Sequence, residues 1–373
     1  MANKDIEFIN VLGVGKNGTT LLGSLLDNHP QISTFPMEMK FVEHFFNTIK
    51  DKSIEGIIRF LSHKSKLTLL GKQNHELDEQ ARVVVGNLNQ INFNKNEFFK
   101  LIEKEKKNFN LFNNYKEILI FLHLCLDKYL KRKNSQKIVI QDGCFGLRYI
   151  NEQIDIFKKI KFLIIVRNPL DTFVSHKKIK YQFKFFRRFI GDFSREEQMN
   201  TSRENLNYSI INKLYKKYKN NEKFHFLKYE NLVSQPKSEM KKVADFIGIQ
   251  YLDEMIQPTV FGQKWHGNSA RVLKKENIDD KEVNKFQKNL NINEITFLEL
   301  KFQKFFQNFN YQNHIKKFSK LRYLSCLLKI YFQNIFEAKK IIPSNNFLLK
   351  FAYYIIILNN LFLLRNMKLI VKL

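Results

Sequence analysis

The chain has 373 residues, 44% of them hydrophobic, enough apolar content for a folded core and too much for a disordered chain. Its formal charge of +27, from 63 Lys+Arg against 36 Asp+Glu, suits a polyanionic partner. Lys, Asn, Ile and Phe are all frequent, as A/T-rich codons produce, so composition alone also accounts for solvated lysines. The three cysteines, Cys125, Cys144 and Cys326, form no CxxC, which argues against a disulfide framework or a zinc site and for a reducing compartment. Met1 to Asn10 has no apolar h-region, so no signal peptide is expected.

Glu7 to Leu12 reads as a short apolar strand, followed by a glycine-rich turn. Thr19 to Asn28 reads as a helix with Leu21, Leu22, Leu25 and Leu26 on its apolar face, ended by His29-Pro30. Strand, glycine loop and helix in that order bring backbone N–H groups and a helix N-terminus to one point, which makes an anion site. Residues 41–135 read as mixed helical segments. Lys137 to Gln141 is a second strand and Ile150 to Lys159 a helix. Lys161 to Val166 is a continuous apolar run of the kind found in central parallel strands. Pro169 opens the next helix, through about Lys180. Phe224 to Tyr229 is a strand, and Pro236 to Ile247 a helix stopped by Gly248. This alternation predicts an α/β three-layer sandwich, a central parallel sheet with helices on both faces. The chain beyond about 277 reads as helical. Phe347 to Leu373 is apolar but broken by Asn359 and Asn360 and dotted with Lys350, Arg365, Lys368 and Lys372. That pattern suits a helix lying on an anionic membrane surface or one packed back on the domain.

The loop Gly13-Val-Gly15-Lys16-Asn17-Gly18-Thr19-Thr20 admits three readings. Gly13, Gly15 and Gly18 fit the dinucleotide fingerprint GxGxxG. Glu38 stands at the distance of its acidic partner, but Pro36 and Gln31-Ile-Ser-Thr34 make a poor central strand before it. Gly13 and Gly18 also have the spacing of a nucleotide-hydrolase P-loop, GxxxxGK[ST], although Thr19 replaces its lysine. The lysine here is Lys16, inside the loop.

The third reading accounts for that displaced lysine. Lys16-Asn17-Gly18-Thr19-Thr20, with Leu25-Leu26-Asp27-Asn28-His29-Pro30 after it, resembles the loop with which sulfotransferases bind PAPS, 3′-phosphoadenosine 5′-phosphosulfate. The family reads Lys or Arg, Ser, Gly, Thr, Thr there, so Asn17 departs from the usual Ser. A second loop repeats the resemblance. Phe162-Leu-Ile-Ile-Val-Arg167-Asn-Pro-Leu-Asp-Thr-Phe-Val-Ser175 is similar to the family's strand-end Arg with a Ser eight residues later, which together hold the 3′-phosphate. Arg offers the fork that phosphate oxygens accept. Phe226-Leu-Lys-Tyr229-Glu230-Asn231-Leu232 with Asp245-Phe-Ile-Gly248 looks like the following strand and helix. Phe261 to Arg271, containing Gly267 and Asn268, falls where the family closes a loop over the nucleotide, with Lys264 or Arg271 supplying charge.

The resemblance implies a P-loop NTPase-like fold and a sulfotransferase that takes PAPS and releases PAP, with no metal. Cofactor binding would fall to Gly15, Lys16, Asn17, Gly18, Thr19, Thr20, Arg167, Ser175, Tyr229, Gly267 and Asn268. Lys16 would stabilise charge on the bridging oxygen. Glu38, in Glu38-Met39-Lys40, resembles a Glu-x-Arg of the tyrosylprotein branch and is the candidate general base. A histidine, such as His123, is the alternative. Residues 1–310 would form the sulfotransferase domain, with 41–135 a helical acceptor-side insertion and 311–373 a helical, basic-apolar extension. The expected acceptor is a glycan or glycolipid hydroxyl. The expected location is cytoplasmic, with membrane contact through the C-terminal helices and no specific nucleic-acid binding. A P-loop nucleotide kinase and a basic membrane-surface or nucleic-acid-binding protein are the rival readings.

Overall fold

A computed structural model describes residues 6–35, 41–48, 51, 53–64, 91–107, 115–132, 135–182, 195–265, 278 and 280–314. The chain divides into two compact units, Met1–His176 with Glu204–Lys285, and Lys177–Arg203 with Phe286–Leu373.

The first unit is built on a five-stranded parallel sheet. Its strands are β1 (Glu7–Gly13), β2 (Ile32–Thr34), β3 (Lys137–Gly143), β4 (Ile160–Val166) and β5 (Phe224–Lys228), in the order β2-β3-β1-β4-β5. β1 is central, and its Asn10 lies opposite Ile140 of β3 and Phe162 of β4. β1 and β4 are near-continuous apolar runs because both faces of the sheet are covered. One face presents Ile9, Val11, Val139, Leu163 and Ile165. They pack against Leu22, Leu25 and Leu26 of α1 (Thr19–Leu26) and the apolar side of the helices after β5. Each such side chain contributes about 1.5–3 kcal/mol on burial, so this stripe fixes α1 more firmly than helix propensity could. On the opposite face Phe8 packs on Phe157, ring centroids 4.3 Å apart, and Tyr115 meets the same ring.

The remaining helices of the first unit follow in chain order. They are α2 (Phe41–Glu43), continued by a π-helical turn at His44–Thr48, α3 (Ile54–Lys64), α4 (Lys95–Lys106), α5 (Tyr115–Tyr129) and α6 (Ile150–Ile156). α7 (Pro169–Gln182) and α8 (Arg195–Tyr218) each run across a unit boundary in the sequence. α9 (Tyr229–Ser234) and α10 (Pro236–Ile247) follow β5. α10 opens on proline and closes on Gly248, whose φ of 71° is the left-handed cap that glycine accepts without strain. A two-stranded hairpin, β6 (Thr259–Val260) and β7 (Gln263–Lys264), completes the unit.

The expected α/β sandwich with a parallel sheet is therefore observed. Boundaries moved slightly: β3 extends to Gly143, and Tyr229 opens α9 instead of closing β5. Ile32–Thr34 does form a strand, but at the sheet edge, paired only with β3 over three residues. An edge tolerates the polar Ser33 and Thr34, and Pro36 falls after the strand.

The second unit holds α11 (Phe286–Asn289), α12 (Ile292–Lys301) and α13 (Gln303–Asn308). α12 starts with a capping box between Asn291 and Glu294. Glu299 is buried and accepts the backbone N–H of His314 at 2.9 Å. Among the described residues no helix is long and apolar enough to cross a membrane. The apolar stretch Phe347 to Leu373 lies outside the described residues.

Candidate functional site

β1 runs into the first loop at Gly13. A Cβ there would sit 2.6 Å from the Ile165 carbonyl oxygen of β4, so only glycine lets the two strands close at this level. The loop then curls through two left-handed residues, Lys16 (φ 67°) and Gly18 (φ 98°), on either side of Asn17. Gly18 also caps α1 and supplies no capping side chain, so the helix N-terminus opens toward the loop.

Three consecutive loop residues are held by groups from far along the chain. The Lys16 carbonyl accepts Nη1 of Arg167 at 3.0 Å. Asn17 Oδ1 accepts the Thr172 hydroxyl at 2.9 Å. Gly18 lies against Tyr229, whose Cδ2 would be 2.5 Å from any Cβ placed on that glycine.

Arg167 emerges from the end of β4 and is buried, 5% exposed. Its guanidinium lies 4.3 Å over the Tyr229 ring, a cation–π contact worth about 0.5–2 kcal/mol. Nη1 also approaches Ser175 Oγ at 3.4 Å, and Nη2 donates to the Glu282 carbonyl at 2.7 Å. Nε has no hydrogen-bond partner among the described residues. Ser175 donates back to the Asp171 carbonyl at 3.0 Å, one turn earlier in α7. The turn itself is fixed from both sides. Asn168 Oδ1 accepts Leu170 N–H at 2.9 Å, and Asn168 N–H donates to Glu230 Oε1 at 2.8 Å. Asp171 Oδ2 accepts Asn284 N–H at 2.7 Å.

On another side of α1, Thr20, Gly23, Ser24 and Asp27 line a small cavity with Gln141, Thr259, Val260 and Trp265. Asp27 ties the hairpin to this helix. Its Oδ2 accepts the Thr259 hydroxyl at 2.9 Å and Gly262 N–H at 2.7 Å, and Arg132 Nη2 stands 3.5 Å from Oδ1.

The structure thus brings Lys16, Asn17, Gly18, Arg167, Ser175 and Tyr229 into one contact network, with Gly15, Thr19 and Thr20 on the same loop and helix start. Glu38, Gly267 and Asn268 lie outside the described residues. His123 is buried in α5, its Nδ1 3.0 Å from Ser33 Oγ beside β2, and burial pushes its pKa down to about 3. A ring so enclosed and so weakly basic is a core residue. Sequence reasoning gave no role to Thr172, Glu230, Glu282 or Asn284. Thr172 stands inside the Arg167–Ser175 motif. Nothing in the sequence marks Glu282, 115 residues from Arg167.

The model of the sulfotransferase family matches residues 9–254, from β1 past α10. The chain belongs to the sulfotransferase family. No curated protein matches its sequence. Solved structures similar to this sulfotransferase include the sulfotransferase domain from the curacin biosynthetic pathway, with 14% identity over 82% of this chain and 98% of that one, TM-score 0.49. The sulfotransferase domain of the Synechococcus PCC 7002 olefin synthase shares 16% identity over 82% and 94%, TM-score 0.46. A sulfotransferase from Alicyclobacillus acidocaldarius shares 13% over 82% and 96%, TM-score 0.42.

Proposed function

We propose that this sulfotransferase moves the sulfuryl group of PAPS to an acceptor hydroxyl and releases PAP. The observation that carries the reading is the joining of two loops 151 residues apart: the Lys16 carbonyl is bonded to Arg167, which also reaches Ser175. A loop at a helix N-terminus suits the 5′-phosphosulfate, and an Arg–Ser pair beside it suits a 3′-phosphate. The residues fit such a ligand. Arg167 Nε and Asn17 Nδ2 are buried donors with no partner among the described residues, as a site for anionic oxygens would leave them.

In the proposed reaction the acceptor oxygen attacks sulfur in line. The sulfur–oxygen bond to the phosphate breaks, and PAP leaves with the electron pair. The protein's share is positioning and charge stabilisation. Lys16 would stabilise the charge growing on the bridging oxygen. Glu38 would take the acceptor proton. Thr19, Thr20 and the Gly15–Gly18 backbone would cradle the 5′ end, with Tyr229, Gly267 and Asn268 completing the nucleotide site. We assign the acceptor to glycans or glycolipids, with 41–135 shaping its pocket and the basic-apolar extension lying on a cytoplasmic membrane surface. This assignment rests on the sequence pattern of the tail.

The test is conversion of PAPS to PAP with a panel of glycan, glycolipid, tyrosyl and small-alcohol acceptors. Lys16→Ala should lower kcat at least about a hundredfold, the loss typical of one transition-state contact, while unfolding at the normal temperature. Full turnover by the folded variant would refute the role of Lys16. No turnover of PAPS with any acceptor would count against the donor.

A further inference from the structure

Asn17 occupies the loop position where serine is usual, and the structure gives it an unusual environment. Its side chain is fully buried, yet only one end of the amide is used. Oδ1 accepts the Thr172 hydroxyl at 2.9 Å, and Nδ2 has no hydrogen-bond partner among the described residues. An unmade bond at a buried amide N–H costs about 1–3 kcal/mol, and beside an anion-binding loop a ligand oxygen would complete it. A carboxamide is free to turn by half a rotation, exchanging its acceptor and donor ends. In this structure the Thr172 hydroxyl is the donor, so the oxygen end of the amide is the one it engages. It holds the oxygen toward α7 and leaves the NH₂ group for the other side. Thr172 itself is buried and lies in the first turns of α7, between Arg167 and Ser175.

We propose that Thr172 is a positioning residue for the donor. Its hydroxyl locks the Asn17 amide so that Nδ2 donates to a non-bridging oxygen on the 5′ side of the nucleotide, the side served by the Lys16–Gly18 loop. The inference rests on the donor assignment above. Serine at position 17 would offer one rotatable hydroxyl, whereas the held asparagine offers an oriented NH₂ donor. The segment from the end of β4 into α7 thus meets the loop by two bonds in parallel, Arg167 to the Lys16 carbonyl and Thr172 to Asn17.

The experiment compares Thr172→Val, which keeps shape and removes the hydroxyl, with Thr172→Ser, which keeps the hydroxyl. By calorimetry Thr172→Val should bind PAP and adenosine 5′-phosphate about tenfold more weakly. Thr172→Ser should stay within about twofold of the unsubstituted chain. Binding of adenosine 3′-phosphate should change little. In turnover, Thr172→Val should raise KM for PAPS with kcat nearly constant, the signature of lost uniform binding. Asn17→Ser added to Thr172→Val should cost little more, because the lock and the donor act as one unit. Without nucleotide, the Asn17 side-chain ¹⁵N–H signals should move in Thr172→Val and return in Thr172→Ser. That last measurement separates the two claims. If those signals shift as expected but the unsubstituted chain binds no PAP, the donor assignment fails while the lock stands. Unshifted signals, equal losses in Thr172→Val and Thr172→Ser, or equal losses for 3′- and 5′-phosphates would overturn the proposal.

Discussion

Replacing Gly18 by alanine tests whether Tyr229 closes the loop as the structure has it. Two costs arise. Gly18 has φ 98° and ψ 14°, where an L-residue is strained by about 1–2 kcal/mol. The new Cβ would also lie 2.5 Å from Tyr229 Cδ2, 3.1 Å from Cε2 and 3.2 Å from Ile165 Cδ1. Tyr229 cannot swing aside cheaply, because Arg167 lies on its ring. Overpacking of this kind costs about 1–3 kcal/mol. The sum, roughly 2–5 kcal/mol, corresponds to a fall of about 4–10 °C in Tm for a unit of this size. Gly248→Ala is the control. Gly248 also has positive φ, 71°, but the nearest atom to its added Cβ is Lys137 Nζ at 3.9 Å. It should lose only the backbone term, about 1–2 kcal/mol. Thermal and denaturant unfolding of both variants give the difference. Tyr229→Leu in the Gly18→Ala background should recover part of it. Equal destabilisation of the two glycine variants, with no coupling to Tyr229, would refute the packing argument.

Arg167→Ala should weaken PAP binding most. It should also weaken nucleotides that lack a 3′-phosphate by several-fold, since Arg167 holds the Lys16 carbonyl; calorimetry with PAP and adenosine 5′-phosphate checks both. Asp27→Ala removes the acceptor of Thr259 Oγ1 and Gly262 N–H and should cost about 2–4 kcal/mol in denaturant unfolding, with Asp27→Asn losing less. Acid should destabilise the fold through its buried histidines. Burial lowers the pKa values of His29, His123 and His225, so the unfolded chain takes up their protons first as pH falls. For His123, with a folded value of about 3 against 6.5 unfolded, the loss runs from about pH 6.5 downward. It amounts to roughly 2 kcal/mol between pH 7 and pH 5. Asp127, raised by burial, works in the opposite direction, since the folded chain binds its proton first as pH falls. Unfolding of the unsubstituted chain and His123→Gln at those two pH values should show a smaller drop in the variant. An identical drop would mean that the ring is accessible to protons.

By itself the sequence determined the frame of the site. Apolar runs such as Phe162–Val166 suit buried parallel strands, and a glycine turn between a strand and a helix suits a tight curl at the helix start. Those are local consequences of side-chain pattern and backbone freedom. They placed Lys16 to Thr20 on a helix N-terminus and Arg167 at a strand end. Ile32–Thr34 was obscure because an edge strand of three residues has neither the length nor the apolar pattern that marks a central one. What only the tertiary structure decided is which groups hold the loop. Thr172 against Asn17, Tyr229 against Gly18 and the Glu282 carbonyl against Arg167 are contacts across more than a hundred residues. A hydroxyl, a ring or a main-chain carbonyl leaves no periodicity in the sequence. Its meaning depends on the atom that the folded chain brings within 3 Å of it. His123 makes the same point from the other side. It is a candidate base by residue type, and a buried neutral ring among Ser33 and Phe35 once the sheet and α5 close around it.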